Sequence, residues 1–218
     1  MTLPVCLLDL DGTLTDPIDG ISRCIGHALQ SLGFPVPESR ALKAWIGPPL
    51  KSSFEQYLNS CGGGDPVEAV RLYRERFSKI GLFENSVYDG ITTLLESLHR
   101  NSIPLLVATS KPTVYAQRIV RHFELDHWIQ AVHGSELDGR LTDKTDLLGH
   151  IVEKWSFNPA DCVMVGDREY DMKAACHHGM AAIGVLWGYG SPIELLEAGA
   201  ETLVSTPSEL SELLIDSI

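Results

Sequence analysis

The fold of this chain is set by residues 5–13, which read Val5-Cys6-Leu7-Leu8-Asp9-Leu10-Asp11-Gly12-Thr13. An apolar run that ends in an acidic turn is typical of a parallel strand buried on both faces. Asp9 and Asp11 then lie close together where the extended backbone ends, and like charges this close need a cation or a proton between them. The pair predicts a divalent-cation site or a nucleophile beside an acid–base group, with an ordinary Asp-Gly surface turn as the alternative.

The same pattern, an apolar run followed by polar or acidic residues, recurs along the chain. Apolar runs that end in small, polar or acidic residues predict further strands at residues 104–108, 130–133, 162–165 and 181–186. Segments with helical spacing of apolar residues separate them. This alternation indicates α/β units around a parallel sheet, in which ligands bind beyond the carboxyl ends of the strands. The polar residues that follow the strands should therefore converge on one crevice.

The region from residue 17 to residue 83 departs from this pattern. It contains no convincing strand, and helical segments are predicted at residues 18–32, 38–45, 50–60 and 66–80. Glycine- and proline-rich breaks separate these segments. We therefore expect an α/β core of residues 1–15 and 84–218 that is interrupted by an all-helical cap of residues 16–83.

Three more polar groups follow the predicted strands. Thr109 and Ser110 offer hydroxyls and backbone amides that can hold a phosphoryl oxygen. Lys144 precedes one helix, and Asp167 and Asp171 open another. Taken singly, these are ordinary features: a helix cap, a solvated lysine, and acids favoured by a helix dipole. Four polar sets in order on four strand ends are much harder to explain in that way.

Together the four motifs resemble those of the haloacid dehalogenase superfamily, and within it the phosphoglycolate phosphatase-like group with a helical cap. They read Asp9-Leu10-Asp11-Gly12-Thr13, Thr109-Ser110, Lys144, and Gly166-Asp167 through Asp171. The resemblance covers essentially the whole chain and implies a Rossmann-like parallel-sheet core with an inserted helical cap. It also implies a Mg²⁺-dependent phosphomonoester hydrolase that acts on a small phosphorylated metabolite, phosphoglycolate first among them.

The resemblance further implies how the acidic residues would act. Asp9 would attack phosphorus and form an aspartyl-phosphate, while Asp11 would protonate the leaving oxygen and then deprotonate the attacking water. The metal site would consist of Asp9, the backbone carbonyl of Asp11, and Asp167, with Asp171 in or near the outer shell.

The phosphate-binding residues follow from the same resemblance. Thr109, the Ser110 amide and Lys144 would hold the transferring phosphoryl group, with Gly12 beside it. Thr109 and Lys144 would also count as catalytic residues, because they would stabilise charge on the equatorial oxygens.

Several alternatives stay open at this point. The carboxylate of Asp11 argues against haloacid dehalogenation, in which no leaving alkoxide needs a proton. A 5′-nucleotidase, a broad-specificity sugar-phosphate phosphatase and a phosphomutase of the β-phosphoglucomutase type fit the same motifs. Receiver domains also accept phosphate on aspartate, but they are about half this length and lack a helical insertion.

The composition of the chain limits which kinds of partner it can bind. The 218 residues carry 17 Lys and Arg against 29 Asp and Glu, a formal charge of −12, which disfavours nucleic acid polymers and anionic membranes. No apolar run approaches the roughly 18–20 residues that span a bilayer.

Five cysteines without a C-x-x-C pair, and no basic leader at Met1, favour a cytoplasmic protein. Without coiled-coil heptads, we expect a monomer or a weak homodimer.

Overall fold

The computed structural model describes residues 4–216. The chain divides into two units, one formed by the residues up to Thr15 together with those from Val87 onward, and the other by Asp16–Ser86. The chain therefore returns to the first unit between residues 86 and 87, whereas the sequence predicts this return at residue 84.

The first unit is built around a six-stranded parallel sheet. In chain order, the strands of the protein are β1 (Val5–Leu8), β2 (Thr15–Asp16), β3 (Ser86–Val87), β4 (Leu105–Pro112), β5 (Ala131–Ser135), β6 (Cys162–Gly166), β7 (Ala181–Val185) and β8 (Thr202–Val204). The main sheet has the order β5-β4-β1-β6-β7-β8, and β2 and β3 form a separate pair. The predicted α/β fold with a parallel sheet is confirmed. The short strand β8 was not predicted from the sequence.

The strand order contains the reversal at which α/β sheets generally bind ligands. β1 lies between β4 and β6, and from it the chain builds outward first on one side of the sheet and then on the other. Such a reversal leaves an opening at the carboxyl ends of the central strands. Leu8 is in register with both Val107 and Val165, so the residues that follow these three positions reach the same edge of the sheet.

The second unit is helical over most of its length. Its helices are α1 (Ile18–Ser31), α2 (Ser39–Leu42), α3 (Leu50–Ser60) and α4 (Pro66–Arg76). The carboxylate of Asp65 accepts a hydrogen bond from the backbone N–H of Val67 and caps α4, which begins with proline. Two of the predicted helices end earlier than expected. A 3₁₀ turn at Lys43–Trp45 follows α2, and a π-helical turn at Phe77–Gly81 follows α4.

Among the residues that the structure describes, six α-helices accompany the sheet in the first unit. They are α5 (Ile91–Arg100), α6 (Thr113–His122), α7 (Lys144–Trp155), α8 (Glu169–His178), α9 (Pro192–Glu197) and α10 (Pro207–Asp216). Asp143 caps α7 as predicted, because its carboxylate accepts hydrogen bonds from the backbone N–H groups of Thr145 and Asp146. Leu7 and Met164 of the sheet belong to a buried cluster with residues of α7 and α8. This packing fixes the helix ends that carry polar residues against the strand ends.

Candidate active site

The loop after β1 presents two carboxylates to the edge of the sheet. Asp9 is buried, and its backbone N–H donates to the carbonyl of Val165, so the strand pairing with β6 continues as far as this residue. The chain then turns at Gly12, which has a positive φ of 86°. A side chain at Gly12 would also overlap the carboxylate of Asp167. Glycine is therefore required here both by the backbone conformation and by the close approach of an acidic residue.

Three buried carboxylates lie together at this edge. Asp9, Asp167 and Asp171 each offer an oxygen that lies within 4.8 Å of the other two. Asp167 follows β6, and its two oxygens accept hydrogen bonds from Tyr189 N–H at 2.8 Å and Thr13 Oγ1 at 3.4 Å. Asp171 lies in the first turn of α8, where it accepts from the backbone N–H of Arg168. Residues that are far apart in sequence thus form one acidic cluster.

Burial and the repulsion between neighbouring carboxylates shift the pKa values of Asp167 and Asp171. Burial raises the pKa of Asp167 well above its usual value, and the charges of Asp171 and Asp9 raise it further. Burial likewise raises the pKa of Asp171, although Lys144 opposes the shift. Without a metal ion among them, these carboxylates are held together at a cost in free energy.

Lys144 lies inside the site and not on the surface. Its side chain is 4% exposed, and its Nζ lies 2.8 Å from Asp171 Oδ1 and 3.1 Å from Asp9 Oδ1. The ammonium also donates to the carbonyl of Ala108, at 2.8 Å. Burial alone would lower the pKa of Lys144, but the two carboxylates outweigh it and raise the pKa above its usual value. The alternative of a solvated surface lysine is therefore wrong.

Thr109 and Ser110 lie at the same edge, where β4 loses its regular pairing. The register between β4 and β5 shifts between Thr109 and Pro112. Thr109 is buried, and its Oγ1 accepts from the backbone N–H of Lys111, while the Ser110 carbonyl accepts from Ser135 Oγ. The predicted phosphate-binding role of these two residues stays a prediction, and they directly follow Ala108, whose carbonyl accepts from Lys144.

Asp11 is held by a residue to which the sequence assigned no role. Its Oδ2 lies 2.5 Å from Lys111 Nζ, and the two side chains are 15% and 6% exposed. Asp11 is not a member of the three-carboxylate cluster, and the predicted metal contact from its backbone carbonyl stays a prediction. Burial raises the pKa of the Asp11 carboxyl, while the charge of Lys111 opposes that rise. The only signal for Lys111 in the sequence is its place two residues after Thr109.

A second feature that the sequence did not reveal is the loop after β7. Trp187 Nε1 donates to the carbonyl of Thr13 at 2.9 Å, and the backbone N–H of Tyr189 donates to Asp167. A side chain at Gly188 would overlap both Asp167 and the Gly12 carbonyl. This loop therefore holds the turn after Asp9 and the acidic residue after β6 in fixed positions.

The donor set fits a hard divalent cation. Carboxylate oxygens are the ligands that Mg²⁺ prefers, and the site has four carboxylates against two ammonium groups, Lys111 and Lys144. Asp9 Oδ1 and Asp171 Oδ1 are buried at ion-pair distance from Lys144, yet neither accepts a hydrogen bond of good geometry among the residues that the structure describes. A metal ion bound by these oxygens would satisfy them and balance the excess negative charge.

Two further observations concern membrane segments and disulfides in the part of the chain that the structure describes. Between residues 4 and 216, no helix has both the length and the apolar character needed to cross a membrane. The five cysteines are all free thiols.

Comparisons with known proteins show the family and several relatives of the chain. The family model described as "Haloacid dehalogenase-like hydrolase" matches residues 6–185. A protein of Pseudomonas aeruginosa named 5′-nucleotidase is 47% identical over 88% of this chain and 86% of its own length. The tyrosine-protein kinase PtkA of Mycobacterium tuberculosis is 37% identical over 95% of this chain and 70% of its own length. A crystal structure described as a predicted phosphatase from Clostridium acetobutylicum has a TM-score of 0.91 and 40% identity, and the match covers 99% of this chain and all of that one.

Proposed function

The chain belongs to the haloacid dehalogenase-like hydrolases, and from this premise we propose that it is a Mg²⁺-dependent phosphomonoester hydrolase that acts through an aspartyl-phosphate. The observation that carries the proposal is the environment of Asp9. This buried carboxylate contacts Lys144 and clusters with Asp167 and Asp171, while a second acid, Asp11, follows two residues later. Phosphatase activity at this level agrees with the name of the Clostridium acetobutylicum structure.

In the first step, a carboxylate oxygen of Asp9 forms a bond to phosphorus, and the bond from phosphorus to the ester oxygen breaks. Asp11 gives its proton to the leaving oxygen, so the product of this step is a neutral alcohol. A carboxylate nucleophile divides the hydrolysis into two displacements, each easier than direct attack by water. The raised pKa of Asp11 favours the protonated form that this step requires.

In the second step, water attacks the phosphorus of the aspartyl-phosphate. Asp11, now a carboxylate, takes a proton from that water, and the bond between Asp9 and phosphorus breaks to release inorganic phosphate. Lys144 and Thr109, which are both buried, would stabilise the charge on the non-bridging oxygens in both steps. At the end of the cycle Asp11 is again a protonated carboxyl group and Asp9 is again a free carboxylate.

Mg²⁺ would be held by Asp9 and Asp167, with Asp171 beside it and the backbone carbonyl of Asp11 as a further donor. When bound, it supplies positive charge that offsets the repulsion between these acids and the phosphate dianion. Lys144 contributes a fixed charge of the same sign, at 3.1 Å from Asp9 Oδ1.

A nucleoside 5′-monophosphate is the substrate class that we propose first. It is supported by the 47% identity to the protein named 5′-nucleotidase, which extends over 88% of the chain. Phosphoglycolate is the second candidate, because the motifs resemble the phosphoglycolate phosphatase-like group. A phosphomutase would carry out the first step but would transfer the phosphoryl group to another position of a sugar phosphate.

One panel of esters tests these proposals together. Purified protein is given nucleoside 5′-monophosphates, phosphoglycolate and hexose phosphates, with Mg²⁺ or with a chelator, and released phosphate is measured. We expect Mg²⁺-dependent release, fastest from a nucleotide. Absence of release from every ester would refute the hydrolase proposal, and an isomerised sugar phosphate without free phosphate would identify a mutase.

A further inference from the structure

The two oxygens of the Asp11 carboxylate have different surroundings. Oδ2 is paired with Lys111 Nζ at 2.5 Å. Oδ1 is buried and has no hydrogen-bond partner among the residues that the structure describes. A buried carboxylate oxygen without a partner is costly, so such an oxygen in a native protein calls for an explanation.

The lysine that holds Oδ2 is itself firmly placed. Lys111 lies on the irregular end of β4, and its side chain is 6% exposed. Its backbone N–H donates to Thr109 Oγ1, and its carbonyl lies so close to Gly134 that a side chain at that glycine would overlap it. The backbone that carries Lys111 is therefore fixed on both sides. Its ammonium can act as a rigid anchor for one oxygen of Asp11.

The other lysine of the site has a different task. Lys144 contacts Asp9 and Asp171 and donates to Ala108. Lys111 contacts Asp11, which is not a member of the three-carboxylate cluster. The two buried ammonium groups thus contact different acids, Lys144 the proposed nucleophile and Lys111 the residue assigned to proton transfer.

From this arrangement we infer that Lys111 is a positioning residue for Asp11. By anchoring Oδ2, it fixes the carboxyl plane and presents Oδ1 as the oxygen that exchanges the proton with the leaving group and then with water. The inference rests on the proposed function, since it concerns the same phosphomonoester hydrolysis. Lys111 acts through Asp11 and does not itself contact phosphorus.

Two esters with different leaving groups distinguish a positioning role of Lys111 from a merely structural one. A nucleoside 5′-monophosphate loses a poorly stabilised alkoxide that needs a proton, whereas p-nitrophenyl phosphate loses a stable phenolate that does not. We expect Lys111→Met to lower kcat about 10²-fold for the nucleotide and by less than about threefold for the nitrophenyl ester. Lys111→Arg, which can still anchor Oδ2, should recover much of the lost rate. Lys154→Met, at an exposed lysine of α7, is the matched control and should leave both rates unchanged.

A double-mutant cycle with Asp11→Asn completes the test. If Lys111 acts through Asp11, adding Lys111→Met to Asp11→Asn should cause no further loss with the nucleotide. The double variant removes both partners of the ion pair, so it stays informative even if Lys111→Met alone folds poorly. Equal slowing of both esters, additive losses in the cycle, or a rise in KM for both esters would overturn the inference. A wild-type protein inactive on both esters would instead overturn the proposed function itself.

Discussion

The backbone N–H of Tyr189 donates to Asp167 Oδ2 at 2.8 Å, so the loop after β7 fixes a carboxylate at the end of β6. The two residues are 22 positions apart in the chain, and they meet because β6 and β7 are adjacent parallel strands. Partners of this kind set the orientation of metal-binding carboxylates, and their loss typically lowers metal affinity 10–100-fold. The loop is thus part of the site although it carries none of the four motifs.

Gly188→Ala tests this role of the loop. The added methyl group would overlap Asp167 and the carbonyl of Gly12, so we expect the loop to move and Asp167 to lose its hydrogen bond from Tyr189. The Mg²⁺ concentration that gives half-maximal activity should rise about 10–100-fold. Gly26→Ala is the control, because a methyl group there meets only ordinary contacts with Val36 and α1 favours alanine. An unchanged Mg²⁺ requirement in Gly188→Ala would contradict the assignment of Asp167 to the metal site.

Asp9→Asn should abolish turnover while leaving the fold intact. The amide has nearly the same shape as the carboxylate but cannot attack phosphorus, and we expect phosphate release to fall by at least about 10⁴-fold. Wild-type protein quenched during turnover should gain the mass of one phosphoryl group, and the variant should not. Asp126→Asn, at an exposed aspartate, should behave as wild type in both assays. Near-normal activity of Asp9→Asn would show that another residue is the nucleophile.

Lys144→Met should destabilise the protein far more than loss of an exposed lysine does. It would leave Asp9 and Asp171 buried beside each other without their shared cation. Removing one partner of a buried ion pair costs about 3–5 kcal/mol in the free energy of unfolding, which urea denaturation measures. Mg²⁺ should recover part of that loss, because a cation in the acidic cluster replaces some of the missing charge.

Lys79→Met provides the comparison for this variant. Lys79 is 69% exposed and lies 3.8 Å from Glu75, so its removal should change the free energy of unfolding by less than about 0.5 kcal/mol. A similarly small effect of Lys144→Met in the absence of Mg²⁺ would mean that the buried charge cluster is not held together by this lysine.

Sequence patterns predicted the parts of the fold that depend on local order. The run from Val5 to Leu8 is strand-like because every one of its residues is apolar, and it is buried throughout. By contrast, β8 has only three residues, two of them partly exposed, which is too short for a periodic pattern. The irregular end of β4 could not be predicted either, because its path depends on the close approach of Gly134, which lies on another strand.

Some residues of the candidate site could likewise be predicted from the sequence, and others could not. Asp9, Thr109, Lys144 and Asp167 could be predicted because each follows a strand or opens a helix, and strand order brings such positions together. The roles of Lys111 and the Trp187–Gly190 loop could not, because they depend on contacts between side chains and loops of separate strands. Nothing in the local sequence indicates that Lys111 points toward Asp11.

The pH dependence of stability should include a contribution from His133, away from the active site. His133 is buried on β5, and its Nε2 accepts a hydrogen bond from Trp155 Nε1 at 2.9 Å, so the ring is neutral. Burial, with smaller effects from Lys154 and His150, lowers the pKa of His133 to about 4. Above pH 6.5 the ring is neutral in both the folded and unfolded states, and it contributes no pH dependence.

Below pH 6.5 the unfolded chain binds a proton at His133 that the folded protein does not bind until about pH 4. Stability should therefore fall as the pH is lowered through this window, by up to about 1.4 kcal/mol per pH unit and about 3 kcal/mol in all. In His133→Gln, whose side-chain oxygen can still accept from Trp155, this contribution should vanish, and urea denaturation at several pH values should give a shallower slope than wild type. His99→Gln, at an exposed histidine, should keep the wild-type slope. Parallel curves for wild type and His133→Gln would show that His133 is protonated equally in the folded and unfolded states, which its buried hydrogen bond to Trp155 does not permit.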